Sequence, residues 1–405
     1  MFVESLVSLS AKKVAESSEI GCYENFNWTL EEPFNSQVVA HLTRIPEQTG
    51  LKFNFDKLDT QKYKLSPEDL STLHNHNIRS LVIDTFQSWK LLESEDKKSL
   101  DIVSILTACL NPSSRQNLKN LRIIGSAVFP DDWVEKVAEM LPNLQSFECE
   151  IKTEKEFRSI CEFFPKLVHL KVLGDSLKTI CGIGRLKSLQ VFDASFLQLD
   201  SPEQLKELFE IPNLRILDIP FSQDVIRNIL LCDATLPNLR YLECYGSDIT
   251  EEQMRTVVEK YPSLQLIGII GTSCELIDFS NLNVLQLATF KSTMNVLRQM
   301  SNRCDQKLDG RILNECMSRV ENLLEHGTMD GFEEEVFLDL MMKVALKLEF
   351  YYKDTRLLVK ILTLYFKRVP QHLDSIAGLR TQLLVKRQWA AETVLRYSPG
   401  DLKIM

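Results

Sequence analysis

Glycine is scarce in this chain, with 14 in 405 residues, so loops suited to lids or phosphate cradles are few. Gly182-Ile183-Gly184 is the nearest approach to a nucleotide fingerprint, and it lacks the third glycine and the helix that should follow. Paired cysteines are absent: Cys22, Cys109, Cys149, Cys161, Cys181, Cys232, Cys244, Cys274, Cys304 and Cys316 stand singly. None of the six histidines lies in HExxH or beside a cysteine pair, so a metal centre is not expected. No GxSxG elbow occurs. His74-Asn75-His76 reads as a polar loop, and Glu333-Glu334-Glu335 as an acidic first helical turn. These absences leave no cofactor and no catalytic constellation, so the chain is not expected to be an enzyme.

Basic charge is in deficit. The chain has 47 Lys+Arg against 56 Asp+Glu, a net of −9, which disfavours a nucleic-acid partner. The deficit lies before residue 290; from Phe290 onward 18 Lys+Arg face 15 Asp+Glu. No uncharged apolar run reaches the roughly 18 residues of a membrane span. Glu4 interrupts the first apolar stretch and no cleavage pattern follows, so no signal peptide is expected. Unpaired cysteines at core positions, Cys149 and Cys244 among them, fit a reducing compartment, namely the cytoplasm, with the nucleus second.

What the chain does have is a repeat. Leu141-Pro142-Asn143-Leu144, Phe164-Pro165-Lys166-Leu167, Ile211-Pro212-Asn213-Leu214, Leu236-Pro237-Asn238-Leu239 and Tyr261-Pro262-Ser263-Leu264 are copies of one motif. Leu186-Lys187-Ser188-Leu189 is a sixth copy without the proline. Their last leucines lie 23, 22, 25, 25 and 25 residues apart. That period predicts a leucine-rich repeat solenoid. After Leu239 come Leu242, Cys244, Ser247 and Ile249, the alternation of a short strand with one buried face followed by a polar turn. Ser222, Ser247, Thr272 and Asp175 stand where the template prefers Asn or Cys. Their side chains can bond backbone groups more weakly, so the solenoid is expected to be irregular.

Thr153-x-x-Glu156, Ser201-x-x-Gln204 and Thr250-x-x-Gln253 read as capping boxes that open return helices. Each coil is thus expected to run strand, turn, capped helix, proline. Upstream, residues 1–15 read as an amphipathic helix that caps the solenoid. Ser66-Pro67 opens a short helix, and Ile78-x-x-Leu81-x-Ile83 is the first expected strand, with a helix near Lys98–Leu110. Asn281-Leu282-x-x-Leu285-x-Leu287 is a last short strand. Beyond it the period becomes helical, near Thr293–Cys304, Arg311–His326, Glu333–Phe350, Thr355–Val369 and Leu379–Tyr397. The expected fold is an α/β solenoid: an irregular leucine-rich repeat horseshoe with a helical N-terminal cap, then a short all-α armadillo/HEAT-like block. The expected domains are residues 1–50 (helical docking segment), 51–290 (repeats) and 291–405 (helical block). The concave face of such strands is a platform for another protein.

Ser5-Leu6-Val7-Ser8-Leu9-Ser10-Ala11 resembles a BC box, the short helix that docks on elongin C. Leu6 matches the anchoring leucine, Ser10 takes the position that is usually cysteine, and Leu9 and Val14 flank them. The segment from Glu32 to Leu42 resembles a cullin box: Phe34, Val38 and Leu42 match its apolar positions, and Asn35 stands where proline is usual. This order of docking motifs, leucine-rich repeats and armadillo-like helices is similar to the Zyg-eleven and Zer family of substrate receptors for cullin-2 RING ubiquitin ligases. The segment from Leu236 to Gly268 resembles that family's last repeats. The resemblance implies a non-catalytic receptor with elongin C, elongin B and cullin-2 as partners and a protein substrate that the sequence does not name. Many members of the family read N-terminal glycine degrons in a longer armadillo array than this chain has, so no degron-pocket residue carries over. The alternative is a leucine-rich-repeat interaction scaffold that does not assemble with a ligase.

Overall fold

The computed structural model of the protein describes residues 54–55, 58–59, 67–85, 100–125, 127–173, 177–199, 201–222, 224–277, 279, 282–287, 289–302, 315, 336 and 340. The chain divides into two units, Met1–Cys274 and Glu275–Met405.

The repeated motif is a β-turn. The N–H of Leu144 donates to the Leu141 carbonyl at 3.2 Å, and Leu167, Leu189, Leu239 and Leu264 make the same bond to the residue three before. Proline suits the second position because its ring presets φ. The bond from Leu189 forms without a proline, so the ring favours the turn and is not required for it. The third residue ties one coil to the coil before. Asn143 Nδ2 donates to Gln116 O, Asn213 Nδ2 to Lys187 O, Asn238 Nδ2 to Pro212 O and Ser263 Oγ to Leu239 O, at 2.8–3.1 Å. The leucine that ends each motif is buried.

Each turn feeds a strand. In the first unit the strands are β1 (Asn54–Phe55), β2 (Leu58–Asp59), β3 (Asn77–Ile78), β4 (Ser80–Asp84), β5 (Asn120–Ile124), β6 (Ser146–Glu150), β7 (His169–Leu173), β8 (Val191–Ala194), β9 (Ile216–Asp218), β10 (Tyr241–Glu243) and β11 (Leu266–Gly268). From β2 and β4 through β11 they lie side by side in chain order, and every pair is parallel. One strand per coil, stacked in order, is a solenoid of leucine-rich-repeat type. Strand β1 pairs instead with β3. The sheet therefore begins one coil before the expected first strand, because Leu58 pairs with Leu81. The 23 residues between them are one repeat period, although the stretch between reads as polar.

The returns vary more than the strands. The α-helices of this unit are α1 (Pro67–His74), α2 (Ile102–Cys109), α3 (Pro112–Asn117), α4 (Trp133–Met140), α5 (Glu154–Phe163), α6 (Val225–Leu231) and α7 (Glu251–Lys260). The boxes at Thr153 and Thr250 close as expected, each threonine accepting an N–H at 3.2 Å and Glu156 or Gln253 reaching back. The box at Ser201 also closes, but Pro202–Glu210 is a 3₁₀ helix rather than an α-helix. The coil before it holds only the 3₁₀ turn Ile183–Arg185. That coil has the shortest interval, 22 residues, and a 3₁₀ turn rises faster per residue than an α-turn. Helix α6 follows Asp224, which has no side-chain cap bond. A uniform capped helix in every coil is thus corrected. Helix α3 was not expected; Asn111 caps it at 2.7 Å and Pro112 opens it, the same cap-then-proline signal as Ser66-Pro67.

The turn serines do bridge coils. Leu197 N–H donates to Ser222 Oγ and Ser222 N–H to Ser247 Oγ, both at 3.2 Å, and Ser247 Oγ donates to Ile219 O. Asp175 lies outside the described residues. Cys149 and Cys244 are fully buried core residues whose thiol pKa values burial pushes well up. His74-Asn75-His76 is not a plain polar loop. His74 ends α1, and His76 is buried where Asn111 Nδ2 and Ser114 Oγ donate to its carbonyl. Burial lowers its imidazole pKa to about 4.

In the second unit, β12 (Asn283–Leu285) packs against α8 (Phe290–Asn302). Helix α8 starts three residues before the expected Thr293, because Thr289 Oγ1 accepts the Ser292 N–H at 3.1 Å. Of the four helices expected further on, Glu315, Val336 and Leu340 are described, and all three are helical. The expected N-terminal cap lies outside the described residues.

Candidate functional site

Successive side chains of a strand point to opposite faces. In this sheet the two core residues of each strand flank one residue that faces away from the core. Arg122 lies between Leu121 and Ile123, Glu148 between Phe147 and Cys149, and Lys171 between Leu170 and Val172. Asp193, Asp218, Glu243 and Gly268 occupy the same place in the next four strands. Strand register puts all seven in one row. Read along the sheet, the row is positive, negative, positive, then three carboxylates, then glycine, at spacings of about 4.8 Å.

The alternating half neutralises itself. Arg122 Nε sits 3.1 Å from Glu148 Oε2, with only 16% and 9% of the two side chains exposed. Lys171 pairs with Asp193 under similar burial. Pairing is what allows these charges to sit on a crowded face, since one buried alone is strongly disfavoured. At the other end, Glu243 is buried under local bonds. The Tyr241 hydroxyl donates to Oε2, and the Tyr245 N–H donates to Oε1 at 3.0 Å. Gly268 makes room for this carboxylate: a Cβ there would lie 2.1 Å from Glu243 Oε2.

A second row runs beside the first. It is polar over β4–β7 (Ser80, Asn120, Ser146, His169) and apolar over β8–β11 (Val191, Ile216, Tyr241, Leu266). His169 Nδ1 lies 3.3 Å from Ser146 Oγ. Burial first, and the Lys171 charge second, lower the His169 pKa to about 4, so the ring is neutral near pH 7. The four apolar residues are half-buried.

Past the strand ends lies an aromatic rim. Phe196, Phe221, Gly246 and Gly271 follow one another at 25 residues, and all have φ between 55° and 72°. Each of the first three donates the same backbone tie: Phe196 N–H to Pro220 O, Phe221 N–H to Tyr245 O and Gly246 N–H to Ile270 O. Left-handed phenylalanine is uncommon. Here it stacks Phe196 on Phe221 at 5.0 Å between centroids, and Phe221 meets Tyr245 edge-on at 5.0 Å. Gly246 admits the Phe221 ring, which a Cβ would meet at 2.5 Å. Phe196 is 40% exposed. Beside Ser195, a cleft of about 360 Å³ is lined by Glu150, Lys152, Glu154, Leu173 and Lys178 among others.

These rows were readable in the sequence once strand register was set, because each charged residue sits between two core positions. The 25-residue spacing of Phe196, Phe221, Gly246 and Gly271 was equally visible. The residues singled out for docking, Leu6, Leu9, Ser10, Val14, Phe34, Asn35, Val38 and Leu42, all lie outside the described residues. Among the described residues no group of three His, Cys, Asp or Glu could hold a metal ion. No described helix is long and apolar enough to cross a membrane. The seven described cysteines are free thiols.

No family model matches the chain. Gastrulation-defective protein 3 of Caenorhabditis elegans is 27% identical over 313 residues, 73% of this chain and 44% of that protein. The chain thus spans less than half the length of that relative. Among solved structures, a leucine-rich repeat-containing protein of Legionella pneumophila is 16% identical and covers 69% of this chain and 99% of its own, with a TM-score of 0.34. An internalin of Listeria monocytogenes is 15% identical and covers 63% of this chain and 70% of its own, with a TM-score of 0.33.

Proposed function

We propose that this protein is the substrate-recognition subunit of a cullin-2–elongin B/C RING ubiquitin ligase, bridging a protein substrate to the ligase for degradation. The observation that carries the reading is the order of segments: a BC-box-like stretch at Ser5–Ser10, a cullin-box-like stretch at Glu32–Leu42, then repeats that open on the proline turns. In this reading residues 1–50 form a helical cap that docks on the ligase, residues 51–290 are the repeat spacer, and residues 291–405 are an armadillo-like block. Leu6 is the anchor in an elongin C pocket, flanked by Leu9, Ser10 and Val14. Phe34, Asn35, Val38 and Leu42 face the cullin. The subunit performs no chemistry itself and works in the cytoplasm and nucleus.

Fully burying one leucine contributes about 1.5–3 kcal/mol, so a charge at the anchor removes most of the affinity. Affinity purification with mass spectrometry, wild type beside Leu6→Asp, tests the reading. Elongin B, elongin C and cullin-2 are expected with the wild type and strongly reduced with the variant. Equal recovery from both, or no elongin from either, would overturn it. The second reading is an interaction scaffold outside any ligase. Ser10 and Asn35, where cysteine and proline are usual, favour it, and it predicts partners on the repeat face alone.

A further inference from the structure

Three independent features meet in the cleft beside Ser195, past the C-terminal ends of β6 and β7. The first is an unused hydroxyl. Ser195 is only 8% exposed and makes no side-chain hydrogen bond to any described residue. It lines the cleft, so the bonding capacity of its hydroxyl is left for whatever enters there. The second is the start of the ten-residue helix α5, whose Thr153 and Glu154 also line the cleft. Thr153 Oγ1 takes the Glu156 N–H, and Glu156 reaches back to the Lys152 and Thr153 N–H groups. The N–H groups of Glu154 and Lys155 are left without a partner among the described residues, at the positive end of the helix dipole. The third is Lys178, an exposed lining cation with no ion pair to any described residue. The other lining charges already have partners: Glu150 pairs with Lys152, and Glu154 lies 4.0 Å from Arg158. Buried Val172 and half-buried Leu173 and Leu177 supply an apolar wall.

We propose that this cleft binds a small organic carboxylate with a short branched apolar tail. The unused groups select the anion: a hydroxyl, two backbone N–H groups and an ammonium can all donate, and an ionised carboxylate only accepts. Bonds to an ionised acceptor are about twice as strong as neutral ones, and helix starts are ready anion sites. Glu154 does not compete for the N–H groups, because its side chain is more than half exposed beside Arg158. The wall selects the tail. A bare inorganic anion would leave Val172, Leu173 and Leu177 uncovered, whereas an aliphatic group buries against them. The volume of about 360 Å³ sits at the small end of ligand pockets, which run from roughly 300 to 1,000 Å³, so the tail is short. Such a carboxylate is offered both by the last residue of a polypeptide and by a free branched acid. The inference rests on the repeats alone and holds whether or not the chain joins a ligase.

The test is a ligand-observed NMR titration of the full chain with N-acetyl-leucine, beside its neutral and nearly isosteric amide. The acid is expected to bind at least about tenfold more tightly than the amide, the scale of one charge-assisted hydrogen bond. Ser195→Ala and Lys178→Met, each checked for an unchanged circular dichroism spectrum, are each expected to weaken the acid severalfold and to leave the amide nearly unaffected. Lys178 is exposed, so its variant should fold even where Ser195→Ala does not. Lys206→Met, which removes an exposed lysine outside the cleft, is expected to change nothing. A parallel titration with 4-methylpentanoate, which keeps the carboxylate and the tail but lacks the acetamido group, separates the sources. Tighter binding of N-acetyl-leucine points to a chain terminus, and equal or tighter binding of 4-methylpentanoate to a free acid. Equal affinity for acid and amide, no binding of either acid, or a loss with Lys206→Met as large as with Lys178→Met would each overturn the proposal.

Discussion

Two ion pairs of nearly equal length allow burial to be tested against geometry. Arg122–Glu148 measures 3.1 Å with 16% and 9% of the side chains exposed; Arg185–Glu162 measures 3.2 Å with 61% and 55% exposed. Coulomb attraction at that separation is several-fold stronger in a partly buried site than in water. More important is what remains when one partner is removed. Arg122→Met leaves the Glu148 carboxylate on a crowded face, and breaking a buried pair in this way costs about 3–5 kcal/mol. Lys171 is in register with Glu148 on the next strand and can offset part of that, which puts the expected loss near the lower end, about 3 kcal/mol. Arg185→Met should cost about 0–1 kcal/mol, because water solvates the released Glu162. The double variant Arg122→Met/Glu148→Met should recover most of the loss, since an apolar pair of similar volume carries no desolvation penalty. Urea unfolding followed by circular dichroism measures all four proteins, with equal m-values as the condition for comparing midpoints. If Arg122→Met and Arg185→Met differ by less than about 0.5 kcal/mol, burial does not set the strength of the charge row, and the reasoning above fails.

Two further predictions concern the rim and the first coils. Gly246→Ala should destabilise by about 2–3 kcal/mol, combining positive-φ strain with a Cβ 2.5 Å from the Phe221 ring; Gly271→Ala, whose nearest neighbour is 3.6 Å away, should cost only the strain, about 1 kcal/mol. Equal losses in thermal melts would show that Gly246 does not seat the ring. His76 has a folded pKa of about 4 against an ordinary 6.5, so the unfolded chain takes up its proton first. Its contribution is intact above pH 6.5 and is lost as pH falls from 6.5 to about 4, with about 2 kcal/mol gone by pH 5. His76→Gln should show a drop in unfolding free energy between pH 7 and pH 5 smaller than the wild type's by that amount; equal drops would mean that His76 is not held neutral.

The repeat was legible because each of its parts has a local cause. Proline sets the turn at Leu141–Leu144, alternation sets the strand at Leu239–Cys244, and Thr153 with Glu156 satisfies the first N–H groups of α5. What was not legible depends on neighbouring coils. Leu58 is a strand residue because Leu81 pairs with it, and nothing local marks it. The capping box at Ser201 reads the same as the one at Thr153, yet only the latter opens an α-helix, so a cap signals a start and not the helix type. His76 reads as polar loop because the groups that bond its carbonyl, Asn111 and Ser114, come some 35 residues later. The charge row is a property of register: Lys171 and Asp193 become partners only when β7 and β8 align. Nothing local marks the left-handed backbone at Phe196 and Phe221, and only Gly246 and Gly271, which share their place in later coils, point to it.

The measurement that bears most directly on the proposed function is calorimetric titration of the purified chain with purified elongin B/C, wild type beside Leu6→Asp. The account predicts a one-to-one complex with the wild type and at least about a tenfold weaker one with the variant, the loss of an anchoring leucine's burial. A wild-type chain that gives no heat of binding, or a variant that binds as tightly as the wild type, would contradict it.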